Sequence, residues 1–545
     1  MPSFRKLSPA TILLTALLFV PLFAQQQIPL DALLRGGRVQ YGIGNYTGAR
    51  ERFSTALAQY GATAADKDLA NIHLLLGLCD AQLKLQDSAA SHFATAMDKD
   101  TAVVSKIRAD EQWQYLAWNS LITSTRDNYD AGVNDAALRY ALGALKVDPS
   151  KSQTYALVAG IYSALGRYDD MYATAGDLLK LDAGVPEAFS LLGQYFLEKP
   201  DSLWPAKEPK TLRLDSADYY YDKAIAAYEK RFAAAKADLA KQLKPADTVR
   251  LNQITAQIID LSRKQDQSEL KRYIERDLNA AGQLTQVAQI AGRLLYAANN
   301  LNVANSRAGT AMLRATADTK ADTSERFRAK AEMLFKQAVQ YDSTDLVSLF
   351  NLGITQYQGK EDTLAESSLQ TVIDHAVAPV GALNQPWIDS LLALVTSTES
   401  GYVQIPGPLT EKVDSVLASR GRKTAGFGWL FTPNLDSRKL NGHATVADTA
   451  GMFLSTQVPQ LVEQAFLWLG SCETGLANSL SDKGRKEVAK ATYERAIGNL
   501  LIATKLGPNN SDAFQNLGIC YRETDQKDKA LKAFENADTL RKQGR

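Results

Sequence analysis

The sequence predicts an all-α protein built as a helical-repeat solenoid, with a long helical hairpin and an irregular insert. Two observations support this fold class. A pattern of a glycine followed by small, large and small residues recurs with one spacing in distant parts of the chain, which indicates a helical pair used many times. The chain has 545 residues, more than one compact core usually holds, whereas a solenoid can extend its core unit by unit.

The pattern is clearest at 511–540. Its first predicted helix carries an aromatic residue, Leu-Gly and Tyr, and its second carries small, large and small residues. These positions are Phe514, Leu517, Gly518, Tyr521, Ala530, Phe534 and Ala537. The glycine lets two helices approach closely, and the aromatic rings fill the gap between them. The segment resembles a tetratricopeptide repeat (TPR), with Phe in the Trp position.

The same spacing recurs from the N-terminal region onward. Two further units match it closely, with a glycine followed by the small–large–small triplet. They are Gly37 with Ala49, Phe53 and Ala56, and Gly77 with Ala89, Phe93 and Ala96. Looser units follow at 113–149 and 155–181, and Leu192-Gly193 opens another. We therefore predict N-terminal TPR repeats over 25–196.

Residues 197–282 depart from the repeat. Three prolines in the 198–216 segment, Pro200, Pro205 and Pro209, interrupt any helix there. A helix rich in Ala and Lys then covers 218–243, and a second long helix is predicted from the apolar residues between 251 and 278. This narrow stripe favours a coiled-coil-like hairpin, and ordinary core packing of elongated repeat helices is an equal alternative.

Repeat features return in two further stretches, separated by an insert. Central TPR-like repeats are predicted over 283–374, where Ala331, Phe335 and Ala338 mark a second helix. A Pro/Gly-rich insert, predicted as short helices and irregular loops, covers 375–455. C-terminal TPR repeats cover 456–545.

Residues 1–24 have the pattern of a secretory signal peptide. Arg5 and Lys6 precede the apolar stretch 11–23, and Ala24 offers a small residue for cleavage. An uncleaved N-terminal anchor is the alternative. The pattern predicts export to the periplasm or cell surface, and the resemblance is therefore to exported bacterial TPR proteins. After signal removal the chain is expected to be soluble, with membrane association only through a partner.

Charge and cysteine usage narrow the function classes. Lys plus Arg total 61 and Asp plus Glu total 60, so the charge balance gives no reason to expect a nucleic-acid partner. Cys79, Cys472 and Cys520 each lie two residues after a repeat glycine. Equivalent positions in stacked repeats are too far apart for a disulfide, so we predict three free, buried thiols.

No catalytic or cofactor motif is evident in the sequence. Only four histidines occur, and none has the spacing of a metal-ligand pair. His73 occupies the aromatic position of its repeat and is predicted to be a packed side chain. We expect a non-catalytic protein without cofactor or metal.

The resemblance to TPR proteins implies a binding function. In that family, outward positions of the first helices line a concave groove that receives a peptide or a partner's helix. The matching positions here are Arg38, Tyr41, Asn71, Gln153, Gln194, Tyr357, Gln515 and Arg522. The Lys/Asn/Arg set with which some TPR domains hold a terminal carboxylate is absent at these positions. We predict a protein–protein interaction scaffold of the cell envelope, with a partner whose identity the sequence leaves open.

The insert supports an alternative function. Exported chains with TPR-like helices and large inserts also resemble glycan-binding surface proteins of gut bacteria, whose aromatic side chains stack on sugar rings. Trp387 and the 426–434 loop, including Trp429, would form that platform. Those proteins are normally lipid-anchored through a Cys after the signal, and this sequence lacks one.

Overall fold

Helices make up nearly all of the fold in the part of the chain that the structure describes. This computed structural model describes residues 28–205, 210–245, 247–264, 267–317, 321–379, 403–404, 429–433, 451–455 and 459–543. The predicted signal peptide 1–24, Trp387, and residues 426–428 and 434 of the 426–434 loop lie outside these residues. The chain divides into two units, one ending at Ala183 and the other beginning at Gly184.

The first unit contains antiparallel helical pairs. Its described helices are α1 (Leu30–Gly42), α2 (Tyr46–Tyr60), α3 (Asp66–Gln82), α4 (Gln86–Lys99), α5 (Ala102–Arg108), α6 (Glu111–Asp130), α7 (Asn134–Val147), α8 (Ser152–Ala164) and α9 (Tyr168–Leu181). Apart from the short α5, each helix packs on its neighbour along the chain, and α6 also packs on α4. Two of these helices, α2 and α6, have a side-chain N-cap. The Asn45 side chain accepts a hydrogen bond from the Gly48 amide, and the Asp110 side chain accepts one from the Trp113 amide.

The second unit contains two helices of more than 30 residues among shorter ones. Its described helices are α10 (Pro186–Glu198), α11 (Lys210–Leu243), α12 (Thr248–Arg263), α13 (Gln267–Arg272), α14 (Leu284–Thr316), α15 (Ala321–Tyr341), α16 (Leu346–Gln358), α17 (Asp362–Ala376), α18 (Pro459–Asp482), α19 (Lys486–Leu506), α20 (Ser511–Glu523) and α21 (Lys527–Lys542). A 3-10 turn at Asp201–Leu203 follows α10. The predicted all-α helical-repeat solenoid is confirmed.

One contact recurs in helical pairs of both units. A Cβ placed on Gly37 would lie 2.3 Å from the Phe53 ring, and one placed on Gly518 would lie 2.6 Å from the Phe534 ring. Equivalent approaches join five further pairs. They are Gly77 to Phe93, Gly193 to Tyr221, Gly309 to Phe335, Gly353 to Leu369 and Gly470 to Leu500. A side chain at these glycines would push the paired helices apart, which explains the repeated pattern in the sequence.

The long hairpin differs from its predicted form. Its two arms are α11 and α14, which are 34 and 33 residues long and pack along each other. The predicted second arm instead breaks into α12, α13, a π-helical turn at Tyr273–Asp277 and a 3-10 turn at Ala281–Gln283. Ile258 and Ile274 are buried in one cluster with Leu294 of α14. The apolar stripe therefore serves ordinary core packing, because it covers the end of the α11–α14 hairpin.

A small sheet occupies the described part of the 375–455 insert. Its strands are β1 (Val377–Pro379), β2 (Val403–Gln404), β3 (Trp429–Pro433) and β4 (Gly451–Ser455). They pair antiparallel in the order β1-β4-β3-β2, with Phe431 opposite Phe453. These strands differ from the short helices and irregular loops that the prolines and glycines of the insert predict. Short runs of aromatic and aliphatic residues suit strands equally well, and the two prolines lie at strand ends.

The prediction of three free, buried thiols is confirmed. Cys79, Cys472 and Cys520 are free and buried. Burial raises the pKa of each thiol, to about 12 for Cys79 and Cys520. These thiols therefore behave as small apolar side chains. Within the described residues, no helix is long and apolar enough to cross a membrane.

Candidate binding surfaces

The four groove candidates of the first unit differ in accessibility. Arg38 and Gln153 are exposed, and Asn71 is half-buried. Tyr41 is also half-buried, and its ring packs edge-to-face on Tyr46 with centroids 5.2 Å apart. Burial raises the pKa of the Tyr41 phenol, and the side chain of Gln82 offsets part of that effect. Arg38 and Gln153 therefore offer polar groups to a partner, while Tyr41 offers the accessible edge of a fixed ring.

Gln194 in the second unit does not lie on an open surface. It is only 8% exposed, and both ends of its amide are used inside the protein. The amide nitrogen donates to Glu198 at 2.8 Å, and the amide oxygen accepts from Arg307 of α14 at 2.6 Å. This position differs from the outward one predicted for it, because α14 covers that face of α10.

The other three candidates of the second unit remain at least partly accessible. Tyr357 packs edge-to-face on Trp468 at 5.3 Å, and Arg522 is exposed and pairs with the adjacent Glu523 at 2.8 Å. Gln515 is half-buried and accepts a long hydrogen bond from Arg541 at 3.5 Å. Across the described residues, no two of the eight candidates share a hydrogen bond, an ion pair or a ring contact. The candidates therefore remain separate positions, including Arg38 and Tyr41 on α1 and Gln515 and Arg522 on α20.

The second unit also contains a cleft that the sequence analysis missed. It has a volume of about 390 Å³ and lies where α10 ends and α11 begins. Its lining residues are Phe196, Leu197, Glu198, Lys199, Pro200, Asp201, Arg213, Leu214 and Arg314. This volume is within the range of sites that bind small ligands or single side chains of a partner. We call it the α10–α11 cleft.

Aromatic rings form a wall beside this cleft. Trp204 stacks on Phe196 at 5.7 Å and meets Tyr195 edge-on at 5.3 Å. Its indole N–H donates to the Lys199 carbonyl at 3.0 Å, which fixes the ring. The Lys199 ammonium lies 4.9 Å from the Trp204 centroid, and the Arg213 guanidinium lies 5.1 Å from it. Both cations are thus held against an aromatic face.

Two buried polar groups elsewhere are structural. In the first unit, Nδ1 of His73 and Nδ1 of His92 are 2.9 Å apart, and fully buried Asp80 accepts from Arg50 and Ser88. Burial, followed by the charge of His92, lowers the pKa of His73 to about 4. His73 is thus a packed side chain, as predicted. Among the described residues, no three His, Cys, Asp or Glu side chains are close enough to hold a metal ion.

In the second unit, Glu473 is the corresponding buried acid. Arg495 donates to one of its oxygens at 3.1 Å, and Asn499 donates to the other at 2.8 Å. Burial raises the pKa of Glu473 to about 7, although both partners favour its ionised form. Arg495 also pairs with Glu366 of α17 at 3.1 Å. This network joins α17, α18 and α19, and it explains why a charged group is tolerated in that core.

Comparison with known proteins assigns the C-terminal helical pair. Residues 512–537, in α20 and α21, match the family model of the tetratricopeptide repeat. This segment is similar to a single tetratricopeptide repeat. TPR units generally act as protein-interaction scaffolds and not as catalysts, because they present extended surfaces built from stacked helical pairs. No curated protein matches the sequence significantly.

Several solved structures are similar in fold. The MamA protein shares 17% identity, with 37% of this chain and 93% of that chain covered and a TM-score of 0.23. A tetratricopeptide repeat protein from Parabacteroides merdae ATCC 43184 shares 11% identity, with 60% and 98% covered and a TM-score of 0.22. The APC/C hetero-tetramer Cut9-Hcn1 shares 12% identity, with 94% and 73% covered and a TM-score of 0.26. At these identities the likeness concerns the fold alone.

Proposed function

We propose that this protein is an exported, non-catalytic scaffold of the cell envelope that binds a peptide or partner protein along the groove of its TPR units. The observation that carries the proposal is the close glycine contact, which pairs helices in both units as it does in the matched TPR segment. Pairs of this kind leave one face of each first helix available for a partner. The domain boundaries given above, and the exported location, are parts of the same proposal.

Two arginines are the most informative groove residues. Arg38 on α1 is exposed and makes no hydrogen bond or ion pair to another described residue. Arg522 on α20 is exposed, and its only ion pair among the described residues is with its chain neighbour Glu523. An exposed pair of this kind contributes little to stability, so Arg522 can exchange Glu523 for a partner's acidic group at low cost. Both arginines can therefore be replaced without loss of the fold.

The test is a pull-down of residues 25–545 from the organism's own cell envelope, read by mass spectrometry. The partner found would then be purified and titrated against the wild type and against Arg38→Ala/Arg522→Ala. A matched control is Arg52→Ala/Lys532→Ala, which removes two exposed cations from the second helices α2 and α21. We expect the groove variant to weaken binding at least about tenfold, the scale of one interface residue of moderate importance, and the control to bind normally.

Two outcomes would contradict the proposal. Equal binding by the groove variant and the control variant would place the contact outside the predicted groove. Retention on polysaccharide, lost on Trp429→Ala in the absence of a protein partner, would support the glycan-binding alternative instead. Fractionation of cells with an antibody to the chain tests the exported location separately.

A further inference from the structure

The α10–α11 cleft contains a buried cation with little compensation. Arg213 is 7% exposed, and its only hydrogen bond to another described residue is to Asp201 at 3.0 Å. A guanidinium has five N–H donors, and the buried Nε–H of Arg213 has no hydrogen-bond partner among the residues that the structure describes. Burial of a charge is costly unless the charge is paired and its donors are satisfied. The guanidinium therefore has unused capacity for an anionic acceptor.

Asp201 compensates the charge of Arg213 only in part. Its side chain is 66% exposed, so water screens its charge. The other acid of the lining, Glu198, already accepts from the amide of Gln194 at 2.8 Å. Against these two carboxylates the lining has three cations, Lys199, Arg213 and Arg314. The cleft thus carries a net positive charge with one arginine near its floor.

The shape of the cleft is fixed by the chain around it. Pro200 follows α10, and the 3-10 turn at Asp201–Leu203 leads to Trp204, whose indole bonds back to Lys199. Arg314 of α14 donates to the Leu197 carbonyl at 3.1 Å and closes one side. The aromatic wall beside the cations is apolar and held in place. A ligand with a carboxylate and an adjacent apolar group would match both parts of this surface.

We propose that the α10–α11 cleft binds a carboxylate of a partner peptide, with Arg213 as its main donor and Trp204 as the wall for the neighbouring apolar side chain. Arginine matches a carboxylate with two parallel hydrogen bonds, which gives the contact direction as well as strength. The carboxylate can come from an acidic side chain or from a chain terminus. This proposal rests on the scaffold function and adds a second contact, away from the repeat positions, to the binding surface.

The test uses three short peptide probes, of which the first two differ only in the acidic group. They are Ac-Leu-Glu-amide with a side-chain carboxylate, Ac-Leu-Gln-amide as its neutral isostere, and Ac-Leu-Gly with a free terminal carboxylate. The indole N–H signals of the full chain, labelled with ¹⁵N-tryptophan, report binding, because Trp204 is one of only six tryptophans. Trp204→Phe assigns the signal. We expect a saturable shift of the Trp204 signal with one or both carboxylate probes and none with the Gln peptide.

Three variants locate the binding energy. Arg213→Met removes the guanidinium charge and keeps an unbranched side chain in place of its aliphatic stem, and we expect it to weaken carboxylate binding at least about tenfold. Lys199→Gln is a milder variant that should also weaken binding, and it applies if Arg213→Met disturbs the fold by circular dichroism. Lys223→Gln is the matched control, since Lys223 also lies over a ring, Tyr219 at 4.5 Å, but does not line the cleft.

The outcomes distinguish the cleft proposal from the groove proposal. A shift with the Gln peptide equal to the shifts with both carboxylate probes, or no shift with any probe up to about 10 mM, the range of a single weak contact, would overturn the cleft proposal. So would carboxylate binding that is unchanged in both Arg213→Met and Lys199→Gln. Failure of these probes alongside a partner lost in Arg38→Ala/Arg522→Ala would leave the scaffold function standing. Probe binding without any protein partner in the pull-down would support the cleft site and contradict the scaffold function.

Discussion

Replacing Gly37 by alanine should loosen the first helical pair, α1–α2, although alanine is the better helix former. The new Cβ would lie 2.3, 2.6 and 2.8 Å from three atoms of the Phe53 ring, where attractive carbon contacts need about 3.5–4.0 Å. Phe53 is fully buried, so its ring is enclosed by neighbouring side chains. Alanine gains about 1 kcal/mol of helix propensity, and overpacking of this severity costs about 3 kcal/mol. We expect a net loss of about 2 kcal/mol.

Hydrogen exchange of the α1 and α2 amides is the suitable assay, because a chain of several units does not unfold in a single two-state step. Gly160→Ala in α8 is the matched control, since a Cβ there meets nothing within 4 Å. It should gain up to about 1 kcal/mol from propensity alone. Phe53→Leu should partly rescue Gly37→Ala, with a loss smaller than the sum of the two single changes. Equal or greater protection of α1–α2 in Gly37→Ala than in the wild type would refute the close-packing argument.

Three further predictions follow from buried titratable groups. In the unfolded state His73 has the ordinary histidine pKa, whereas its pKa in the folded protein is about 4. Lowering the pH from 7 to 5 should therefore destabilise α3–α4 by about 1 kcal/mol, after allowance for partial exposure. Hydrogen exchange should show this loss of stability, and His73→Gln should reduce it. The raised pKa of Glu473, about 7, has the opposite sign: α18–α19 should lose stability as the pH rises from 5 to 8, and Glu473→Gln should flatten that dependence. Cys79, Cys472 and Cys520 should resist Ellman's reagent at pH 8 in the native protein and all react in denaturant; labelling of the native chain would contradict their burial.

The repeat could be predicted where the two helices of a pair are close in sequence. Gly37 and Phe53 are 53 − 37 = 16 residues apart, and the same separation joins the glycine and the large residue of the α3–α4 and α20–α21 pairs. Gly193 and Tyr221 are 221 − 193 = 28 residues apart, because the connection containing the cleft intervenes. A fixed spacing therefore missed this pair. The local triplet Ala217, Tyr221 and Ala224 keeps the same small–large–small spacing, and that signal could have extended the repeat into α11.

The hairpin and the sheet were less predictable for a different reason. Apolar periodicity gives the face of a helix and not its partner, so the stripe between 251 and 278 suits a long arm and a set of short helices equally. In the structure the stripe is divided because α12 ends at Arg263 and α13 begins at Gln267. Asn279, with a φ of +50°, then breaks the helical path before α14. Short aromatic runs such as 429–433 have no period long enough to distinguish a strand from a loop. In both segments the structure is determined by contacts with residues distant in sequence, namely the packing on α14 and the pairing of the strands.

The groove residues show where a binding role cannot be assigned from the position of a residue in the repeat. Gln194 occupies an outward position on a first helix, but α14 is much longer than a repeat helix and passes over α10. Arg307 reaches the Gln194 side chain, and Arg314, two turns later on the same helix, reaches the Leu197 carbonyl. A long helix can therefore bury a position that is exposed in an ordinary repeat. The cationic cleft with Arg213 lies where α10 ends and the long helix α11 begins. The candidate binding surface in this part of the chain thus depends on where the long helices begin and end, and the repeat pattern alone could not have predicted it.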